Sequence, residues 1–128
     1  MSGILFLCIH NAGRSQMAAG FARELSGDKV LILSGGSEPA DKINSVAVEV
    51  MKEIGIDISS YVPQKYNDEL LNAVDVVVTM GCGDTCPYIP GKRYVDWPLD
   101  DPKGQPLDEV RRIRDEIKNR VTELLAQL

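Results

Sequence analysis

Ile4-Leu5-Phe6-Leu7-Cys8-Ile9-His10-Asn11-Ala12-Gly13-Arg14-Ser15 is the stretch that decides the fold. Its first four residues form a continuous apolar run, short enough for a buried strand. Gln16 to Ala22, immediately after it, is rich in helix formers. A loop caught between such a strand and such a helix presents backbone N–H groups at a helix N-terminus, where partial positive charge gathers. Cys8 opens that loop and Arg14 closes it, with five residues between them. A free thiol titrates near pH ~8.5, and a helix N-terminus with a fixed cation favours the thiolate, so Cys8 is expected to be nucleophilic at neutral pH.

The residues Ile9, His10, Asn11, Ala12, Gly13, Arg14 and Ser15 are expected to wrap a tetrahedral oxyanion such as phosphate or arsenate. Gly13 eases the turn, and Arg14 adds a bidentate fork. Ser15 has two compatible roles, capping the following helix or hydrogen-bonding the Cys8 sulfur. Asn11 suits a tight turn, where its side chain bonds backbone groups. His10, the only histidine, either tunes the thiolate or faces solvent.

Outward from this loop, the pattern alternates strands and helices. Val30–Leu33 reads as a second strand ending at Ser34-Gly35-Gly36. Ser45–Ile54 has helical spacing at Val46, Val50, Met51 and Ile54, with Asn44 or Ser45 as cap and Gly55 as stop. Ile56–Ser59 is extended or irregular, and a short helix covers Asn67–Asn72. Val74–Thr79 is the strongest strand signal, expected at the centre of the sheet. Met80–Gly91 reads as a loop, Arg93–Val95 as a fourth strand, and Trp97–Gln105 as a further loop. In the last helix, opened by Pro106, an apolar stripe runs through Leu107, Val110, Ile113, Ile117, Val121, Leu124 and Leu128. Alternating strands and helices predict an α/β fold with a parallel sheet and helices on both faces. Ligands in such folds sit at the carboxyl ends of strands, where the loops beginning at Cys8, Met80 and Trp97 all lie.

Residues 1–128, 44% hydrophobic, are read as a single domain able to bury its own core. A net charge of −5 argues against nucleic acid as a partner, and no apolar run approaches a membrane span. With no signal-type N-terminus, the expected location is the cytoplasm. Three cysteines fit reactive thiols better than a disulfide framework. Cys82 and Cys86 stand four residues apart after the third strand; a disulfide between them is feasible at Cα spacings of about 6 Å. No further Cys or clustered His completes a zinc site around them, so no metal is expected. Asp100-Asp101-Pro102 offers an acid, which the chemistry needs to protonate a departing oxygen; Asp101, preceding the proline, is the first choice and Asp100 the second.

In combination these motifs resemble the thiol-dependent arsenate reductases of the low-molecular-weight protein tyrosine phosphatase superfamily. The likeness rests on Cys8–Gln16, Gly55–Ser59, Val77–Met80 leading into Cys82, and Asp100-Asp101-Pro102, and it spans nearly the whole chain. It implies a three-layer fold with a four-stranded parallel sheet in the order 2-1-3-4. It also implies a catalytic set of Cys8, Arg14, Ser15, Cys82, Cys86 and Asp101, and a relay in which Cys82 attacks Cys8 and Cys86 then attacks Cys82. Arsenate is the implied substrate, with phosphate or sulfate competing. Thioredoxin is the implied reductant; mycothiol with a glutaredoxin-like protein is the alternative, because only three residues separate Cys82 from Cys86. A monovalent cation near Asn11 also follows from the resemblance, although cation-binding members often carry an acid where Ala19 stands. The competing readings are a phosphatase of phosphate monoesters working through a Cys8 phosphoenzyme and a non-enzymatic oxyanion or redox sensor. Phosphatases of this fold typically follow the Asp-Pro with aromatic residues, where this chain has Lys103-Gly104-Gln105.

Overall fold

The computed structural model describes residues 2–80 and 91–128. Strand β1 spans Ser2–Cys8, helix α1 Arg14–Ser26, β2 Val30–Gly36, α2 Ser45–Lys52, α3 Asp68–Asn72, β3 Val76–Thr79, β4 Arg93–Asp96 and α4 Leu107–Ala126. The sheet is four-stranded in the order β2-β1-β3-β4, with every neighbouring pair parallel. The Val-rich third strand is interior, as its unbroken apolar run requires for a strand buried on both faces.

Alternation along β1 divides the interior. Ile4, Phe6 and Cys8 face a large cluster with Met17, Ala18 and Phe21 of α1, Val50 and Met51 of α2, and Val110, Ile113, Ile117 and Val121 of α4. Leu5 and Leu7 face the opposite side, where Val77 and Leu71 of α3 complete a smaller cluster. Among the described residues, helices therefore cover both faces unequally: three on one, and a single five-residue helix on the other. Among the described residues, no helix is long and apolar enough to cross a membrane.

Several boundaries differ from the sequence reading by one or more residues, β4 reaching Asp96 among them, and four have a local reason. β1 runs one residue further, so Cys8 is its last residue and pairs with Gly36. β2 continues through Ser34-Gly35-Gly36, read from the sequence as a turn. A Cβ on Gly36 would stand 2.5 Å from the Ile9 carbonyl oxygen, so the missing side chain admits the crossing loop instead of ending the strand. β3 begins at Val76, because the preceding Asp75 turns its carboxylate to the Gly3 N–H at 3.0 Å. α2 ends at Lys52, and Gly55 (φ 82°) follows in the tight turn beyond it. The Asn44 side chain caps α2, accepting from Val46 N at 2.8 Å and Ala47 N at 3.2 Å. Leu128 leaves the apolar stripe of α4 and is 46% exposed.

Candidate active site

The register aligns Cys8 with Gly36, Leu7 with Thr79, and Thr79 with Asp96, so the strand ends form one edge. From this edge the chain leaves β1 through residues 9–13. Four of their carbonyl oxygens accept from backbone N–H groups of segments outside the loop or of the helix that follows it. Ile9 O accepts from Glu38 N at 2.8 Å, His10 O from Ala40 N at 2.9 Å, Ala12 O from Asn44 N at 2.9 Å, and Gly13 O from Met17 N at 2.9 Å. Asn11 O accepts from the Gln16 carboxamide at 2.9 Å. In a trans peptide the N–H of the next residue points opposite to the carbonyl. With these oxygens drawn outward, the N–H groups of His10, Asn11, Ala12 and Gly13 turn inward, forming a concave anion nest. The Asn11 N–H shows the direction, donating to Cys8 Sγ at 3.2 Å.

Asn11 reaches this geometry with φ at 50°, in the left-handed region that Asn tolerates better than most residues. Its carboxamide Nδ2 donates to Ser15 Oγ at 2.7 Å, and Ser15 Oγ lies 2.9 Å from Cys8 Sγ. Either atom of that pair can be the donor; when Cys8 is a thiolate, which only accepts, the Ser15 hydroxyl gives its proton to the sulfur. Ser15 does not cap α1: that position belongs to Gly13, which makes no side-chain bond, and Ser15 is buried inside the first turn.

Arg14 is buried to 7% exposure, its Nη1 donating to Leu99 O at 3.1 Å and its Nη2 3.9 Å from Asp101 Oδ2. Trp97 and Leu99 anchor the start of the Asp-bearing loop in the core, with the Trp97 ring 6.0 Å from that of Phe6. Pro102 rests on the anion loop, where a Cβ on Gly13 would stand 3.0 Å from Pro102 Cγ. The two aspartates part company. Asp101 turns toward Arg14 and accepts from Lys103 N at 3.0 Å, while Asp100 turns outward to Arg112 Nη2 at 2.9 Å. The Glu109 hydrogen bond, with Asp100 adding to it, holds the Arg112 guanidinium above its ordinary value.

A cavity of about 490 Å³ opens over the nest, lined by Cys8, His10, Gly13, Arg14, Asp101 and Pro102 among others. His10 Nδ1 lies 3.0 Å from the carbonyl oxygen of Glu38, which only accepts, so Nδ1 carries the proton and Nε2 is the free nitrogen. Of the sequence-selected residues, Cys8, His10, Asn11, Ala12, Gly13, Arg14, Ser15 and Asp101 are brought together. Ile9 contributes a carbonyl to the loop's outer ties, and its side chain packs in the smaller cluster. Cys82 and Cys86 lie outside the described residues. Among the described residues, no group of three or more His, Cys, Asp or Glu is placed to hold a metal ion.

The model of low molecular weight phosphotyrosine protein phosphatases matches residues 3–128. The chain belongs to that family. Within it, a putative arsenate reductase of Halobacterium salinarum is 44% identical over 93% of this chain and 87% of its own. A glutaredoxin arsenate reductase of Synechocystis is 36% identical over 100% of this chain and 99% of its own. The solved thioredoxin-dependent arsenate reductase of Corynebacterium glutamicum superposes with a TM-score of 0.88 at 40% identity, over 99% of this chain and 61% of that longer one.

Three residues to which the sequence reading assigns no role, Gln16 of the Cys8–Gln16 motif among them, also build the site. Gln16 and Ser34 are buried behind the loop, and Gln64 donates its backbone N–H to Asn11 Oδ1 at 2.9 Å. Gln16 could have been flagged as a carboxamide directly following the loop. Gln64 sits in an aperiodic stretch that carries no local signal.

Proposed function

We propose that the chain is an arsenate reductase in which Cys8 is the nucleophile. The observation that supports it best is the Cys8 sulfur lying within reach of the Asn11 N–H and the Ser15 hydroxyl, with Arg14 and Asp101 on the rim. Arsenate oxygens lie against the inward N–H groups and the Arg14 fork, which stabilise charge as it develops. The thiolate attacks arsenic, Asp101 protonates a departing oxygen, water leaves, and an arsenic(V) adduct remains on Cys8. Cys82 thiolate then attacks Cys8 sulfur. The sulfur–arsenic bond breaks with its electron pair passing to arsenic, releasing arsenite and leaving a Cys8–Cys82 disulfide. Attack by Cys86 on Cys82 frees Cys8 and moves the disulfide to Cys82–Cys86, which an external dithiol reduces with two electrons.

Thioredoxin is the reductant we favour, because the third cysteine provides a disulfide for it to read and one relative is named thioredoxin-dependent. A low-molecular-weight thiol with a glutaredoxin-like protein is the alternative, in keeping with the name of the Synechocystis relative. Either belongs to a reducing compartment such as the cytoplasm. A second reading, hydrolysis of phosphate monoesters through a Cys8 phosphoenzyme, is favoured by the cavity, whose 490 Å³ exceeds what an inorganic oxyanion fills.

Coupling the protein to thioredoxin, thioredoxin reductase and NADPH tests the proposal. Arsenate-dependent NADPH loss is expected, with a Cys8–Cys82 species trapped in Cys86→Ser. Turnover only with a small thiol changes the reductant. Absent arsenate turnover, rapid aryl phosphate cleavage and a harmless Cys82→Ser would establish the phosphatase reading instead.

A further inference from the structure

A monovalent cation beneath Asn11 needs oxygen lone pairs that face it, and a neighbouring carboxylate strengthens its hold. Among the described residues, the carboxylate is missing at Ala19 and amide hydrogens face the oxygens around Asn11. Ala19 is apolar and fully buried. Asn11 Oδ1 accepts from Gln64 N at 2.9 Å and from Gln16 Nε2 at 3.2 Å, which occupies both of its lone pairs. Gln16 Nε2 also faces Asn11 O, and Gln64 Nε2 faces Ser34 O at 2.8 Å. N–H hydrogens aimed at these oxygens repel a cation that would share them.

We propose that the Gln16 carboxamide and the Gln64 backbone N–H, the latter held in place by the Gln64 carboxamide on Ser34 O, do in this chain what a cation would do, and that Gln16 is a positioning residue for the Cys8 nucleophile. Every amide orientation follows from a partner with one possible role. The backbone N–H of Gln64 can only donate, so Asn11 presents Oδ1 to it and Nδ2 to Ser15. Asn11 O can only accept, so Gln16 presents Nε2 to it and Oε1 to the Ser34 hydroxyl at 3.3 Å. Hydrogen bonds thus run in one direction from the Gln64 N–H through Asn11 and Ser15 to Cys8 Sγ when Cys8 is the thiolate. Gln16 holds both ends of Asn11, its main chain and its side chain, in the left-handed conformation that aims the Asn11 N–H at the same sulfur. The Gln64 segment is itself fixed to the end of β2, with Gly36 N donating to Gln64 O at 2.9 Å.

The inference rests on Cys8 being the nucleophile, and not on the choice of substrate; alkylation of Cys8 by iodoacetamide needs neither arsenate nor a reductant. Wild-type rates should be equal in potassium and tetramethylammonium chloride at matched ionic strength. Gln16→Met should react several-fold more slowly at pH 7, about the worth of one hydrogen bond between neutral partners. Its pH–rate profile should move to higher pH, with no response to potassium. Gln16→Glu, which turns a donor into an anion, should also slow, and potassium but not tetramethylammonium should restore it. If Gln16→Met fails to fold, Gln64→Leu at the surface should show the same displacement of the profile at smaller size. Potassium activation of the wild type, or an unmoved pH–rate profile in the folded variants, overturns the proposal.

Discussion

The two loops that meet over Cys8 are held in opposite ways. Residues 9–13 are fastened by backbone and carboxamide hydrogen bonds, several of them buried, to the 38–44 segment, Gln16 and Gln64. Residues 100–103 are fastened mostly by ion pairs open to solvent on at least one side: Asp100 to Arg112, with side chains 73% and 50% exposed, and half-exposed Asp101 to the buried Arg14 at 3.9 Å. Buried hydrogen bonds keep their geometry against water and salt, whereas exposed ion pairs contribute little and are screened. Residues 9–13 are therefore the more firmly held of the two, and residues 100–103, anchored through Trp97 and Leu99 ahead of them, are the freer to adjust.

Breaking the nest should have the largest effect. Gly36→Ala puts a methyl group against the Ile9 carbonyl, two pieces of backbone that cannot both stay, so oxyanion binding by calorimetry should vanish along with activity. Overpacking of this kind costs about 1–3 kcal/mol of stability, measurable by denaturant titration. Next, Asp101→Asn should lower kcat by roughly 10²–10⁴ while phosphate affinity changes little, because the nest is intact without the acid. Equal losses in both would mean that the loops are one unit. Smaller still, Arg112→Gln should reduce kcat a few-fold at low salt, and raising ionic strength should bring the wild type down to the variant as the ion pair is screened.

The smallest effect concerns charge far from the nest. The Arg111 hydrogen bond, helped by Arg114, holds the Glu53 carboxyl below its ordinary 4.5. A carboxyl lowered in the folded state stabilises above its unfolded value and loses that contribution as pH falls through the folded one. Glu53→Gln should therefore lower Tm slightly at pH 7, with the gap closing as the medium is acidified below about 4.5.

The contrast between the loops also explains what the sequence made legible. Apolar runs at Ile4–Leu7 and Val76–Val78 and the stripe from Val110 to Leu124 reveal the layers, because burial is periodic. Cys8, Arg14 and Asp101 are legible because their chemistry is rare at that spacing. The supports of the nest are not. Gly36 looks like a turn residue until the crossing loop is seen, and Gln64 lies 53 residues from the side chain it orients. Sequence ranks Asp101 ahead of Asp100 only through the proline that follows it; Arg112, the partner that turns Asp100 outward, comes from another element.

A single turnover without reductant tests the central claim, that a preorganised Cys8 receives arsenate and passes electrons to it through the other thiols. Fully reduced protein mixed with one equivalent of arsenate should release close to one equivalent of arsenite and lose two titratable thiols, with the disulfide mapped to Cys82 and Cys86. Arsenate recovered unchanged with all three thiols intact would contradict it.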